Sequence, residues 1–202
     1  MEPAGIQPSP SFDMCGFDPN AIAYYETEGW RAYYDRNWLR AFGLMVHLSD
    51  SQFHIPFPRS FLAVYHIIRA SVVFVPRDHD LNVVRQHLVR FYCIAADANR
   101  GAFDPHTVAD LELRYWEIHR ELAAMPDSNK DSLLERVAAL HAALFGRTPA
   151  ELWASAVSRV AAANAVDQIT SRRSSDPAAD WELVESSLRR AYQQVKSAIE
   201  CR

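Results

Sequence analysis

Cysteine is scarce in this chain, lysine almost missing and glycine thinly spread. The three cysteines, Cys15, Cys93 and Cys201, stand far apart with no Cys-x-x-Cys pair. That spacing excludes a disulfide framework and makes a reducing cytoplasm the expected compartment. Only two of the 21 basic residues are lysines, Lys130 and Lys196. Arginine dominance suits bidentate pairing with carboxylates within or between helices, and it is also what GC-rich coding produces. The formal charge is −4, so no chain-wide basic field gathers nucleic acid or anionic lipid, and neither is an expected partner. The six glycines form no phosphate-cradling loop and no Gly-x-Ser-x-Gly elbow. The first residues lack the basic and apolar regions of a signal peptide. The longest strongly apolar stretch, Phe61 to Val75, is interrupted by His66 and Arg69 and is too short to span a bilayer.

What the chain does have is helix starts. Asp18-Pro19, Asp104-Pro105, Thr148-Pro149 and Asp176-Pro177 each place a side-chain acceptor at an N-cap and a proline at the first helical position. Each leads into an apolar repeat of helical period, and no alternating strand pattern occurs. The expected fold is all-α: a single antiparallel bundle-like domain of about seven helices over residues 18–202, behind a flexible Pro/Ser-containing leader, residues 1–17.

The first helix is expected from Asp18 to about Leu48, on the stripe Trp30, Tyr34, Trp38, Ala41, Met45, Leu48, with Glu28, Arg31 and Asp35 pairing along its surface. The second, about 59–75, is apolar on nearly every side and is therefore expected at the centre of the bundle. Asp78 or Asp80 caps the third, which ends at Asn99-Arg100-Gly101. The fourth follows Asp104-Pro105, and the fifth ends at Gly146. Thr148 and Glu151 form a capping box ahead of a sixth helix rich in alanine and serine, whose small faces suit a deep position or an interface. Asp176-Pro177 opens the seventh.

Catalytic signatures are sparse. Di-iron bundles need Glu-x-x-His on two helices, and that motif does not occur. Glu26, His66, Glu112, Glu117 and His119 remain able to converge in space as a ferritin-like site, and haem-oxygenase-like architecture is the related possibility. Asp78-His79-Asp80 resembles the His-Asp pair of metal-dependent HD phosphohydrolases, with His47 upstream. Its place after Pro76-Arg77 fits helix capping better, and a surface metal cluster there lacks a fourth ligand. The weak metal candidates are thus Glu112, His119, His79 and Asp80. Arg40…His47, Arg59…His66 and Arg114…His119 resemble the Arg…His spacing of all-α ribonucleases of the HEPN type, where a cation and a general acid/base meet one phosphate. A chain this rich in arginine, with eight histidines, produces such spacings by chance. Cys93, among Phe91, Tyr92 and Ile94, reads as an inert core thiol.

An arginine in a buried helix needs a carboxylate. The expectation that follows is a buried cluster of Glu26, His66, Arg69 and Glu112, serving either as a register-fixing salt bridge or as a small polar pocket. The aromatic group Tyr24, Tyr25, Trp30, Tyr33, Tyr34 and Trp38 and the small-residue sixth helix are candidate contact faces. The functional expectation is a cytoplasmic helical protein acting by association, as a homodimer or as a partner-binding module. The alternative is a helical metal- or cofactor-dependent enzyme with its site between the first, second and fourth helices.

Overall fold

The computed structural model describes residues 16–125 and 128–200. Among them are eight α-helices and no strand: α1 (Pro19–Tyr34), α2 (Trp38–Phe53), α3 (Arg59–Phe74), α4 (Leu81–Ala98), α5 (Pro105–Ala123), α6 (Asp131–Phe145), α7 (Trp153–Thr170) and α8 (Pro177–Glu200). Each helix packs on its neighbour in sequence, and α8 returns to lie against α1, so the cyclic order closes. No helix among the described residues is long and apolar enough to cross a membrane. Residues 1–15 of the expected leader, together with Cys15 and Cys201, lie outside the described residues.

The helix starts sit where the capping chemistry puts them. Asp18 accepts from the Asn20 N–H at 2.9 Å, Asp80 from Asn82 at 2.8 Å and Asp104 from Thr107 at 2.8 Å. Asp176 accepts from Ala178 and Ala179, both at 3.1 Å. Thr148 and Glu151 bond reciprocally, at 2.8 and 3.4 Å, but their box closes a turn just before α7, which itself begins at Trp153. At the far ends, Gly146 takes positive φ after α6 and Gly101 after α4, where L side chains are strained.

The expected first helix is two helices. The chain turns at Asp35–Asn37, where Arg36 has φ 59°, and Asn37 recaps α2 by accepting from the Arg40 N–H at 3.3 Å. The stripe from Trp30 to Leu48 is thus two faces, and α1 and α2 pack against each other. Glu28 is buried; it pairs with Arg31 at 3.0 Å and, across the turn, with Arg40. Phe17, placed by its sequence context in the leader, is buried against Phe145 and Tyr192, and its carbonyl accepts from Lys196 Nζ at 3.1 Å.

The alanine- and serine-rich α7 is buried along Ser155, Ala156, Ser158, Ala162, Ala163 and Ala165, and packs most extensively on α8. The expectation that the apolar helix at about 59–75 is central is corrected. That helix, α3, buries only Ser60, Ala63, Val64, His66 and Ala70, packs on α4 and lightly on α2, and turns its large side chains to solvent. Arg120 of α5 holds the end of α3, donating to the Phe74 carbonyl at 2.5 Å with its guanidinium carbon 3.6 Å from the Phe74 ring centre.

Gly43, inside α2, has open space where a Cβ would stand. Gly43→Ala is therefore expected to raise stability by about 0.5–1 kcal/mol, through helix propensity alone. Urea unfolding checks it; a lower midpoint would mean that the bare backbone there serves a contact.

Candidate functional site

Two features stand out: a polar cluster inside the ring of helices and an apolar face outside it. The cluster forms where α1, α5, α7 and α8 meet. Glu26 of α1 is buried. It receives Arg159 Nη2 of α7 at 2.5 Å on one oxygen and the Tyr192 hydroxyl of α8 at 2.8 Å on the other. Glu112 of α5 receives Trp116 Nε1 at 2.6 Å and the Tyr92 hydroxyl of α4 at 3.1 Å. Burial pushes the Glu112 carboxyl above the ordinary carboxylate range, against the pull of Arg159 and of those two donors. Burial beside Glu112 likewise raises the Tyr92 hydroxyl, and burial beside Glu26 that of Tyr192, so both stay protonated donors.

His141 of α6 is also buried. Its Nδ1 lies 2.8 Å from the Ser155 hydroxyl, which in turn lies 2.9 Å from the Leu152 carbonyl. The carbonyl takes the hydroxyl proton, so Nδ1 is the donor to Ser155 and Nε2 the remaining acceptor. Burial, with Arg159 nearby, pushes the imidazole down to about 3, so it is neutral at physiological pH. These groups border a cavity of about 110 Å³. Its lining draws on every helix except α3, with Ser49, Gln52, Phe53, Phe91 and Leu144 among the remaining walls.

Of the four residues expected to cluster, Glu26 and Glu112 meet around this cavity. Arg69 does not: it is exposed on α3. His66 is buried elsewhere, its Nδ1 3.1 Å from Nδ1 of His87 on α4. The buried cation is Arg159. It was not among the expected residues; Ser155, Ala156, Ala162 and Ala163 flank it at i±3 and i±4, which marks its face as close-packed without stating what that face meets. His141 was not among the expected site residues; its one sequence signal is its place beside Leu140 and near Leu144 on the apolar stripe of α6.

The metal candidates are dispersed. His119 faces Asp167 at 3.2 Å, His79 contacts the Pro76 carbonyl at 2.6 Å, Asp80 caps α4, and Glu112 is held by Tyr92 and Trp116. Among the described residues no three His, Cys, Asp or Glu side chains gather as ligands. The Arg…His spacings are likewise divided. Arg40 pairs with Glu28, while His47 stacks on Tyr25 with ring centres 5.3 Å apart. Arg59 pairs with Asp97 at 3.0 Å while His66 meets His87. Cys93 is partly buried, and burial raises its thiol, which keeps it a poor nucleophile.

The outer face belongs to α2 and α3. Phe61, Tyr65, Ile68, Val72 and Val75 follow one another in steps of 4, 3, 4 and 3 along α3 and just past its end, and all but the partly covered Ile68 are exposed. Leu62 is exposed beside them, and Phe57, before the helix, is 76% exposed. Phe42 of α2 meets Phe61 with ring centres 5.3 Å apart and joins the two helices into one face. On α2, Trp38 is exposed and Leu39 is 90% exposed. In comparisons with family models, curated proteins and solved structures, nothing matches this chain.

Proposed function

We propose that this protein works by association and that its unit is a homodimer closed through the α2–α3 face. The observation that carries this reading is the exposed stripe on α3. Monomeric proteins seldom leave so many large apolar side chains contiguous and open. Steps of 4 and 3 are the spacing of a coiled-coil seam, which packs knobs into the holes of a like seam. A stripe of this kind is complementary to itself across a two-fold axis, as dimer interfaces are. Charge supports a second copy as the occupant. Asp50 lies on the same helical line as Leu39, through Gly43 and Val46, and Arg69 flanks the α3 stripe. Both are exposed, and neither has an ion pair among the described residues. In a two-fold arrangement each is free to meet the other's counterpart.

Sedimentation equilibrium tests the proposal. The expected mass is twice the 23.0 kDa of one chain. Leu62→Glu places a charge in the apolar face and is expected to weaken self-association about 30-fold or more, since burying one such side chain is worth about 1.5–3 kcal/mol. Arg69→Glu and Asp50→Lys each weaken it less, and together they recover part of the loss. A wild-type chain that remains at the monomer mass, or a Leu62→Glu dimer as tight as the wild type, would sink the reading.

A further inference from the structure

One buried donor in the cluster has no acceptor. Arg159 gives its Nη2 to Glu26, while its Nη1 is buried and makes no hydrogen bond among the described residues. The guanidinium is held in place from two sides. Glu26 grips it from α1, and its carbon lies 5.5 Å from the centre of the Trp30 ring. Buried donors are nearly always paired, because a donor stripped of water and left bare is costly. The neighbouring carboxyl groups are engaged elsewhere. Glu112 accepts from Tyr92 on one oxygen and from Trp116 on the other. The second Glu26 oxygen accepts from Tyr192.

Arg159 lines the cavity, so the missing acceptor has a space to occupy. A free volume of about 110 Å³ exceeds the roughly 10–15 Å³ that one water needs and leaves room for several non-hydrogen atoms. The lining also fixes the charge of the occupant. A cation would meet the guanidinium. An anion would meet Glu26 and Glu112, with Arg159 already matched by Glu26 and no second cation in the lining. A neutral acceptor meets neither objection. A carbonyl oxygen has lone pairs for the Nη1–H, and an amide adds N–H donors of its own. Ser49 and Gln52 of α2 border the same space with a hydroxyl and a side-chain amide, partners suited to those donors. Phe53, Phe91, Leu140 and Leu144 supply an apolar wall for a short hydrocarbon tail.

We infer that this cavity is a binding site for a small uncharged carboxamide, whose carbonyl oxygen accepts from Arg159 Nη1 while its hydrocarbon tail lies against Phe53 and Phe91. The raised affinity of Glu112 for a proton agrees with a neutral ligand, since it leaves one carboxylate and one guanidinium in the cluster, already paired. None of these residues is among the exposed side chains of the α2–α3 face, so the site stands or falls apart from the homodimer.

The test is heteronuclear NMR of the nitrogen-15-labelled full chain, titrated with propionamide, sodium propionate and n-propylammonium chloride. The expected result is that propionamide alone shifts the side-chain resonances of Arg159 and Gln52, saturating at or below about 100 mM, the weak end of the range for a ligand of its size. Glu26→Gln/Arg159→Met removes the bare donor and leaves no lone charge. Read on the Gln52 amide, it is expected to weaken binding about tenfold or more, as the loss of a hydrogen bond from a charged donor does. Ser49→Leu fills the cavity from α2 and is expected to abolish binding while the far-ultraviolet circular dichroism stays that of the wild type; it decides the matter if the double variant fails to fold. Absence of saturation by propionamide in the folded wild type would leave the cavity to water and overturn the assignment. So would equal binding of propionate or propylammonium, undiminished affinity in the folded double variant, or a folded Ser49→Leu that still binds.

Discussion

Lowering the pH from 7 to 5 is expected to remove about 2 kcal/mol of folding stability through His141 alone. In the unfolded chain an imidazole takes up a proton near pH 6.5. In the fold, burial and the neighbouring Arg159 hold His141 neutral until about pH 3. Between those values the unfolded state binds more protons, so stability is full above pH 6.5 and declines as the pH falls. By pH 3 the accumulated loss is about 4–5 kcal/mol, a large part of the 5–15 kcal/mol typical of a domain. His66 and His87 act in the same direction, since burial and mutual repulsion lower His66, and burial with Arg69 and Arg90 lowers His87. Their contact at 3.1 Å needs one ring to donate and the other to accept, which two imidazolium ions cannot do. Glu112 opposes the trend. Its raised folded pKa makes the fold lose stability as pH rises through that range, so acidification partly restores what the histidines remove. Denaturant unfolding at a series of pH values reads the sum. His141→Leu leaves Ser155 satisfied by the Leu152 carbonyl, and its profile between pH 7 and 5 is expected to be flatter by about 2 kcal/mol. An unchanged slope would mean that the imidazole is protonated inside the fold.

Removing the buried cation has the other large effect. Arg159→Met leaves Glu26 buried without its counter-charge, and breaking a buried pair in this way costs about 3–5 kcal/mol. Tyr192 still donates to Glu26, but one neutral donor does not replace a guanidinium. The double variant Glu26→Gln/Arg159→Met is expected to regain most of that loss, because no lone charge remains inside. Thermal or denaturant unfolding of the three proteins separates the cases. A loss below about 1 kcal/mol in Arg159→Met, the size of an exposed pair, would show that water reaches Glu26 freely.

The positions of the helix starts were readable because capping is local chemistry: Asp18, Asp80, Asp104 and Asp176 each bond to an N–H two or three residues ahead. The turn at Asp35–Asn37 was hidden by a period that continues through it, since Tyr34 and Trp38 keep the spacing of one helix while belonging to two. Its clue was the run Asp35-Arg36-Asn37, three residues that interrupt nothing apolar but supply a cap. Glu26 and Glu112 were identifiable as carboxylates beside apolar stripes. Their partner was not, because Arg69 and Arg159 each sit among apolar or small neighbours, and periodicity states which residues share a face without stating what that face meets. Composition misplaced α3 for the same reason: Phe61, Leu62 and Val72 demand burial, and nothing in the chain's own sequence tells whether a second chain provides it.

The closure of α8 on α1 bears on how the protein is made. Tyr192 and Glu26 are 166 residues apart in the chain and directly bonded. During synthesis, at roughly 5–20 residues per second, α1 leaves the ribosome well before its partner helix exists. Its inner face, with Ile22, Ala23 and the carboxylate of Glu26, then waits without Arg159 and Tyr192 for many seconds. Native structure therefore completes only after the last helix emerges, and until then the nascent chain presents a half-built wall that a chaperone is suited to hold.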